Sequence, residues 1–324
     1  MTDTRAFLID TDTASDDAVA LIMALRHPSI DVKAITTVCG NVNVEQGTRN
    51  ALYTAELCGS DVPIYMGSAK PLLRRHIDAH FFHGADGLGN MRYPAAKKKS
   101  TPGNAVHAII EITRANPGIE WVTLGPLTNI ALAVSAAPEI IPQVSRCVVM
   151  GGAANVVGNV TPAAEYNLWV DPEAAKMVFQ SGLNVEMVGW ELCRFDAIIN
   201  PTEMQHIEAM ANPLAQFTLD CNCVALDAIH EQTGETGLSL PDPVAMAIAI
   251  DSAISTRSSR HFVDIETRSE LTRGMSVVDS LDVSDSKDNK QAWSERRDMA
   301  GSTLVHWSID TKAWKELLFR SLQA

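Results

Sequence analysis

The chain has 324 residues, of which 46% are hydrophobic and 20% charged, and its formal net charge at pH 7 is −13. This balance is ordinary for a globular protein, and the length permits one large α/β domain or two smaller ones. The acidic excess argues against a nucleic-acid-binding surface, since no basic block compensates for it.

The cysteines and the hydropathy pattern indicate the cellular compartment of the protein. The six cysteines are scattered, and most lie in apolar segments, which is typical of buried free thiols in a reducing environment. Cys221 and Cys223 lack the spacing and the second pair that a zinc site requires. No apolar run is long enough to span a bilayer, and none follows a basic start. We therefore expect a cytoplasmic protein without a membrane span.

Strand-like and helix-like segments alternate along the chain. In order, the pattern predicts strands over 6–9, 32–38, 62–65, 120–124, 146–150 and 184–188, and helices from residue 18 and over 44–58, 104–115, 129–136, 172–180, 212–230 and 244–250. Such alternation is typical of parallel strands joined by crossover helices. We expect an α/β fold with an open, mostly parallel central sheet flanked by helices, in a single domain over 1–324. The polar stretch from Asp279 to Ser302 is predicted to be a surface loop.

Four aspartates crowd the turn between the first strand and the first helix: Asp10, Asp12, Asp16 and Asp17. Like charges at close range repel and raise each other's pKa, so a cation is expected among them. Ca²⁺ or Mg²⁺ suits the site better than zinc, because the segment offers oxygen ligands and no Cys or His. The alternative is that Ser15 and the last two aspartates cap the helix, which accounts for one or two acids rather than four.

Other polar residues follow the remaining predicted strands. Asn41 comes after the second strand and either binds a ligand hydroxyl or serves a turn. The Leu124 carbonyl ends the fourth predicted strand and is available to a hard cation. Ligands of open α/β sheets bind beyond the carboxyl ends of the strands, so these residues predict one site. Three residues have helix-capping interpretations: Thr128 and Asp171 as N-caps, and Asp242 as either a cap or a cation ligand.

Several ordered motifs resemble those of the inosine–uridine-type nucleoside hydrolases. They are Asp-x-Asp-x-x-x-Asp-Asp from Asp10, Cys-Gly-Asn from Cys39, His-Gly-x-x-Gly-Leu from His83, Gly-Pro-Leu-Thr-Asn-Ile-Ala from Gly125, Met-Gly-Gly from Met150, Ala-Glu-Tyr-Asn from Ala164, Asp-Pro-Glu-Ala-Ala from Asp171 and Glu-x-x-Arg-Gly-Met from Glu270. The resemblance covers nearly the whole chain. It implies a Rossmann-like sheet, a bound Ca²⁺, hydrolysis of the N-glycosidic bond of ribonucleosides, and a homodimer or homotetramer.

The resemblance also implies roles for individual residues. Ca²⁺ would be held by Asp12, Asp17, the Leu124 carbonyl and Asp242, with Asp12 also the general base. The ribose 2′- and 3′-hydroxyls would be held by Asp16, Asn41 and Asn167. Asn159 and Glu165 would hold the 5′-hydroxyl, and Met150 would pack against the sugar. Asp10 would stand behind the metal ligands, and Asp242 would also adjoin the substrate.

The chain departs from the family pattern at Pro241, where many members carry a histidine that protonates the leaving base. Another residue must protonate the base, or stacking on an aromatic ring must activate it. His83 is the first candidate for contacting the base, and His230 is the second. The spacing between Met150 and Asn159 is one residue longer than the commonest family spacing.

Two other functions are compatible with parts of this pattern. A nucleoside-binding protein would keep the ribose site and lose turnover with the change to Pro241. A Mg²⁺-dependent phosphatase also begins with a strand and Asp-x-Asp, but its chemistry needs a lysine at a later strand end, and none of the strand-end patches after Tyr65 holds one. Release of ribose from a nucleoside, or of phosphate from a phosphomonoester, separates the three.

Overall fold

A computed structural model describes residues 4–283 and 302–323 and centres on a nine-stranded sheet. Its strands are β1 (Arg5–Thr11), β2 (Ile30–Thr37), β3 (Ile64–Met66), β4 (Ile119–Thr123), β5 (Val144–Met150), β6 (Val185–Val188), β7 (Ser255–Ile265), β8 (Ser276–Val278) and β9 (Ser302–Ile309). The α-helices are α1 (Ser15–Arg26), α2 (Val44–Leu57), α3 (His80–His83), α4 (Ala105–Ala115), α5 (Thr128–Ala136), α6 (Tyr166–Val170), α7 (Pro172–Phe179), α8 (Pro201–Ala209), α9 (Pro213–Cys221), α10 (Cys223–Thr233), α11 (Pro241–Ile250) and α12 (Thr311–Leu322).

The strand order confirms the predicted open, mostly parallel sheet. It is β3-β2-β1-β4-β5-β6-β9-β7-β8, with parallel pairing from β3 through β9 and antiparallel pairing of β7 with β9 and with β8. The order reverses between β1 and β4, whose carboxyl ends therefore splay apart and leave a crevice. The antiparallel strands were not predicted, because the expected alternation of strands and helices ends before them.

The central strands are buried on both faces, so their side chains alternate between two cores. Phe7, Ile9 and Val122 face the core formed with α1 and α11, while Leu8 and Trp121 face the core formed with α4, α5 and α7. Each such side chain contributes roughly 1.5–3 kcal/mol to stability when fully buried. This packing fixes the carboxyl ends of β1 and β4 relative to the helices that begin there.

Two local predictions are wrong. The single helix expected over 212–230 is two helices, α9 and α10, separated at Asn222, whose side-chain amide donates to the Thr218 carbonyl at 2.9 Å. A side chain that binds nearby backbone competes with helix continuation. Thr128 is not a cap but the first residue of α5, and its hydroxyl donates to Asp171 at 2.6 Å. Asp171 caps α7 as predicted, accepting from the Ala174 N–H.

The remaining predictions concern thiols, membranes and the polar loop. All six cysteines are free, and four of them are buried: Cys39, Cys147, Cys193 and Cys221. Within residues 4–283 and 302–323, each helix is too short or too polar to cross a bilayer. Residues 284–301 of the loop predicted between Asp279 and Ser302 lie outside the described residues, and Ser302 begins β9.

Charged side chains are paired at the amino end of the sheet. Glu120 of β4 accepts from Arg5 at 2.8 Å and from Arg146 at 3.2 Å, and Glu186 of β6 accepts from Arg146 at 2.8 Å and contacts His306 at 3.3 Å. Arg5 also donates to the Ile250 carbonyl at the C-terminus of α11, where cations complement the helix dipole. We call these five side chains the amino-end network.

Candidate active site

A cavity opens at the carboxyl ends of β1, β4 and β5, beside the reversal in strand order. Nine of the predicted site residues line it: Asp16, Asn41, His83, Leu124, Met150, Asn159, Glu165, Asn167 and Asp242. They come from segments that span more than two hundred residues of the chain, and the parallel sheet brings them together. The predicted convergence of the strand-end residues is thus observed.

A buried cluster of carboxylates lies at the floor of this cavity. Oxygen atoms of Asp16, Asp17 and Asp242 all lie within 4.8 Å of one another. Asp12 adjoins Asp17, whose charge acts on its carboxyl group. Among the described residues, Oδ1 of Asp12 and Oδ1 of Asp16 have no hydrogen-bond partner although both atoms are buried.

The electrostatics of the cluster are unfavourable in the absence of a cation. Burial, reinforced by the charge of Asp17, raises the pKa of Asp12 well above its usual range. Burial and the charges of Asp17, Asp16 and Asp12 do the same to the pKa of Asp242, and burial raises the pKa of Asp16 to about 6. The donor set contains oxygen and neither nitrogen nor sulfur, so it fits a hard cation.

The helix-capping alternative holds only in part. Asp17 accepts from the Ala14 N–H at 2.9 Å and from the Thr11 hydroxyl at 2.5 Å, which ties the carboxylate to the start of α1. Asp16 accepts backbone N–H groups of its own turn and of Asp242. These contacts explain how two of the acids are oriented, but they leave Asp12 and Asp242 unexplained.

Two glycines make room for Asp12. A Cβ at Gly40 would overlap its Oδ2, and a Cβ at Gly125 would come within 2.8 Å of its Oδ1. The Asn41 N–H donates to Oδ2 at 2.5 Å. Asp12 therefore has one oxygen held by the backbone and one oxygen that no described group binds.

Asp10 lies behind the cluster, away from the cavity. It accepts from Thr36 at 2.5 Å and from the side chain of Asn129 at 2.8 Å, and it links β1 to β2 and α5. Burial raises the pKa of Asp10 to about 7, although both hydrogen bonds oppose the shift.

The wall contributed by α6 is fixed by its own capping contacts. Glu165 is the N-cap of α6 and accepts from the N–H groups of Asn167 at 2.7 Å and Gly152 at 2.8 Å. The side chain of Asn167 donates to the Leu124 carbonyl at 2.8 Å, and Asn159 accepts from the Tyr166 N–H at 2.9 Å. Burial raises the pKa of Glu165 to about 7 against these hydrogen bonds.

The two histidine candidates have different surroundings. His83 is buried in the cavity wall with its Nδ1 2.8 Å from the Ser15 hydroxyl and 3.8 Å from Asp16. Burial lowers the pKa of His83 to about 4, against the nearby charge of Asp17, so its ring is neutral at pH 7. His230 is exposed and does not line the cavity, so the structure does not bring it to the site with the other candidates. Ile229 and Gln232 occupy the face of α10 that reaches the cavity.

The sequence argument missed the aromatic walls of the cavity, which consist of Phe81, Phe82, Tyr166 and Trp190. Two features of the sequence could have predicted three of these aromatic residues. Phe82 and Tyr166 adjoin predicted site residues in sequence, and Trp190 follows β6 at the same edge of the sheet as Leu124. Pro241, where the family often has histidine, also lines the cavity as the first residue of α11.

Comparison with known proteins identifies close relatives along the whole chain. Pyrimidine-specific ribonucleoside hydrolase RihA of Shewanella sp. strain ANA-3 is 37% identical, covering 98% of this chain and 96% of its own. The inosine-uridine preferring nucleoside hydrolase of Leishmania major is 39% identical, covering 85% and 88%.

Solved structures of nucleoside hydrolases have the same fold as this chain. The plant nucleoside hydrolase PpNRh1 superposes with a TM-score of 0.90 at 29% identity, covering 99% of each chain. The purine-preferring ribonucleoside hydrolase from Gardnerella vaginalis gives 0.87 at 27%, covering 98% of each chain. The profile of the family described as inosine-uridine preferring nucleoside hydrolase matches residues 7–301. The chain therefore belongs to the inosine-uridine preferring nucleoside hydrolase family and is a nucleoside N-ribohydrolase.

Proposed function

We propose that this protein uses Ca²⁺ to hydrolyse the N-glycosidic bond of ribonucleosides, releasing ribose and the free base. The observation that carries this proposal is the buried carboxylate cluster at the floor of the cavity, where two carboxylate oxygens lack partners among the described residues. Asp12, Asp17, Asp242 and the Leu124 carbonyl would hold the ion. Family membership makes the phosphatase alternative wrong, and it supports turnover over binding alone.

Asp12 is the residue that we assign as general base. Bound Ca²⁺ would offset the charge of the carboxylates and lower the pKa of a coordinated water. The Asn41 N–H holds Oδ2 of Asp12, so its Oδ1 is the oxygen that accepts a proton from the attacking water. General-base catalysis requires such a fixed acceptor within hydrogen-bond reach of the water.

The ribose would lie between the carboxylate floor and α6. Asp16, Asn41 and Asn167 are assigned to its 2′- and 3′-hydroxyls, because all three line the cavity next to the cluster. Cleavage of the ribosyl C–N bond passes through an oxocarbenium-like state, as in glycoside hydrolysis. Negative charge fixed around the sugar stabilises the positive charge that develops there.

The outer part of the sugar would meet three other residues. Asn159 and Glu165 are assigned to the 5′-hydroxyl and Met150 to an apolar contact with the ring. The N–H groups that bind Glu165 hold its carboxylate in place before substrate arrives. A site prepared in this way rejects sugars that lack a hydroxyl, because its buried polar groups would be left unpaired.

The base would lie toward His83 and the aromatic walls. His83 is neutral and buried, so we assign it to contact with the base by hydrogen bonding. Pro241 has no proton to give, and stacking against Phe82, Tyr166 or Trp190 offers the leaving base another form of activation. The names of the relatives point to different bases, so preference must be measured.

The test is a panel of inosine, uridine, cytidine and adenosine assayed for reducing sugar, with and without a calcium chelator. We expect ribose release that the chelator abolishes and that added Ca²⁺ restores. Full activity after exhaustive removal of divalent ions would contradict the role of calcium. Tight nucleoside binding without ribose release from any substrate would favour the binding-only alternative.

A further inference from the structure

The segment that joins β3 to α3 reaches the cavity at Ala79 and is held at several points. We call residues 67–79 the rim strap. The Ser68 N–H donates to Asn129 at 2.9 Å, and the Leu72 N–H donates to Asp171 at 2.9 Å. The Ala79 N–H donates to the Asn41 carbonyl at 3.0 Å, so the strap touches the turn that carries Asn41.

The side chain of His76 also contacts this turn. Its Nε2 lies 2.6 Å from the Gly40 carbonyl oxygen. A carbonyl oxygen only accepts, so Nε2 carries the proton and donates it. The ring is half-buried and does not line the cavity, so it makes no direct contact with a substrate there.

The Gly40 carbonyl and the Asn41 N–H belong to one peptide group. The planarity of that group means that the hydrogen bond at its oxygen also fixes the direction of its N–H. The same N–H donates to Oδ2 of Asp12 at 2.5 Å. His76, the Gly40–Asn41 peptide and Asp12 therefore form a continuous chain of hydrogen bonds, and such chains polarise their members.

We propose that His76 is a positioning residue for the reaction. Through the Gly40–Asn41 peptide it fixes the N–H that holds one oxygen of Asp12, and it thereby aims the other oxygen at the attacking water. This inference rests on the proposed role of Asp12 as general base. Gly40 lacks a Cβ, so its backbone can adopt more conformations than that of other residues. The hydrogen bond from His76 restricts the orientation of the peptide group that follows it.

The test compares variants of His76 that keep or lose the donor. His76→Gln keeps an N–H donor near the position of Nε2, His76→Leu removes it at similar volume, and His76→Asn is too short to reach. His80→Leu is the matched control, since His80 lies on the same stretch of chain and contacts Asp78 rather than the Gly40 turn. Thermal unfolding selects the variants that are folded.

We expect His76→Leu and His76→Asn to lower kcat about tenfold with KM within about twofold, which is the size of effect typical for loss of one hydrogen bond between neutral groups. We expect His76→Gln and His80→Leu to remain close to the parent enzyme. A rise in KM with unchanged kcat would overturn the proposal, because it would mean that the strap positions only the ribose-facing Asn41. Equal losses in His76→Gln and His76→Leu would also overturn it.

A double substitution separates this inference from the proposed function. In an Asp12→Asn background, His76→Leu should cause little further loss of residual activity, because residues that act through one group are not additive. A full tenfold loss in that background would refute the inference while leaving the role of Asp12 intact. Normal activity of Asp12→Asn alone would refute the base assignment, and this inference would fail with it.

Discussion

Both ends of the parallel sheet bury carboxylates, and the two ends treat them in opposite ways. In the amino-end network, burial alone would raise the pKa of Glu186, but hydrogen bonds to Arg146 and His306 outweigh it and lower that pKa to about 2. At the carboxyl end, burial raises the pKa of Asp12 and of Asp242 well above the usual range, and neighbouring aspartates add to the effect.

The difference lies in the source of the compensating charge. The amino end supplies arginines from the chain itself, so its carboxylates are neutralised in the folded protein whatever the solution contains. The cluster of Asp16, Asp17 and Asp242 has no such partner among the described residues and fits an added cation. A buried carboxylate that is paired with an arginine of the same chain stabilises the fold. A buried carboxylate that has no such partner is available for binding and catalysis.

The largest effect is expected from Asp12→Asn at the carboxyl end. It should lower kcat by about 10³-fold or more while leaving the fold intact, because the attacking water loses its proton acceptor. Steady-state kinetics with circular dichroism checks this. Glu120→Gln is the matched control at the amino end and should cost stability rather than turnover. Near-normal kcat in Asp12→Asn would contradict the claim that the carboxylates at the carboxyl end of the sheet act in catalysis.

Arg146→Met tests whether the amino-end network stabilises the fold. Removing one partner from a fully buried ion pair costs about 3–5 kcal/mol, and Arg146 is half-buried, so urea unfolding should show a smaller loss in the free energy of unfolding. The kcat of the folded variant at 25 °C should change little, since Arg146 lies at the opposite end of the strands. A large fall in kcat without a loss of stability would mean that the two ends are coupled.

The pH dependence of stability should distinguish the calcium-free from the calcium-loaded protein. The folded pKa values of Asp16, about 6, and Glu165, about 7, lie above their ordinary values of 3.8 and 4.5. The folded state therefore holds more protons than the unfolded state, and calcium-free stability should fall as pH rises from about 4 to about 7. Glu186 acts in the opposite sense, but only between its folded pKa of about 2 and 4.5.

Calcium should offset this loss. At a free Ca²⁺ concentration about one hundred times Kd, linkage predicts about 2.7 kcal/mol of added stability. Thermal unfolding from pH 5 to 8, with Ca²⁺ or with chelator, measures both effects. A calcium-free stability that rises steadily over this range, or one that Ca²⁺ leaves unchanged, would contradict the account of the cluster.

The smallest effect is expected from His83→Ala, and it should depend on the base. Loss of one hydrogen-bond partner at a buried site costs about 1–3 kcal/mol, so kcat/KM should fall more for some nucleosides than for others. His230→Ala, whose ring is exposed and outside the cavity, is the control and should match the parent. An equal fall for purine and pyrimidine nucleosides would place His83 elsewhere in the mechanism.

The local sequence pattern was sufficient to predict an element where the conformation depended on neighbouring residues alone. Short apolar runs that alternate with helix-like segments predicted the parallel strands, and Asp171 before Pro172 predicted the start of α7. The prediction of one helix over 212–230 was wrong because the Asn222 side chain competes for backbone that periodicity alone treats as helical. Thr128 was misassigned because its hydroxyl has a distant partner in Asp171, which the sequence does not reveal.

The order of residues along the chain is sufficient to show that acidic and amide side chains follow predicted strands, because strand periodicity and chain order are local properties. The roles assigned to those residues remain predictions for the experiments above. Which charges are compensated depends on the folded arrangement, since Glu186 meets Arg146 across neighbouring strands while Asp12 meets a backbone N–H and other aspartates. Contacts of this kind depend on sheet order and side-chain direction, and no spacing along the chain specifies them.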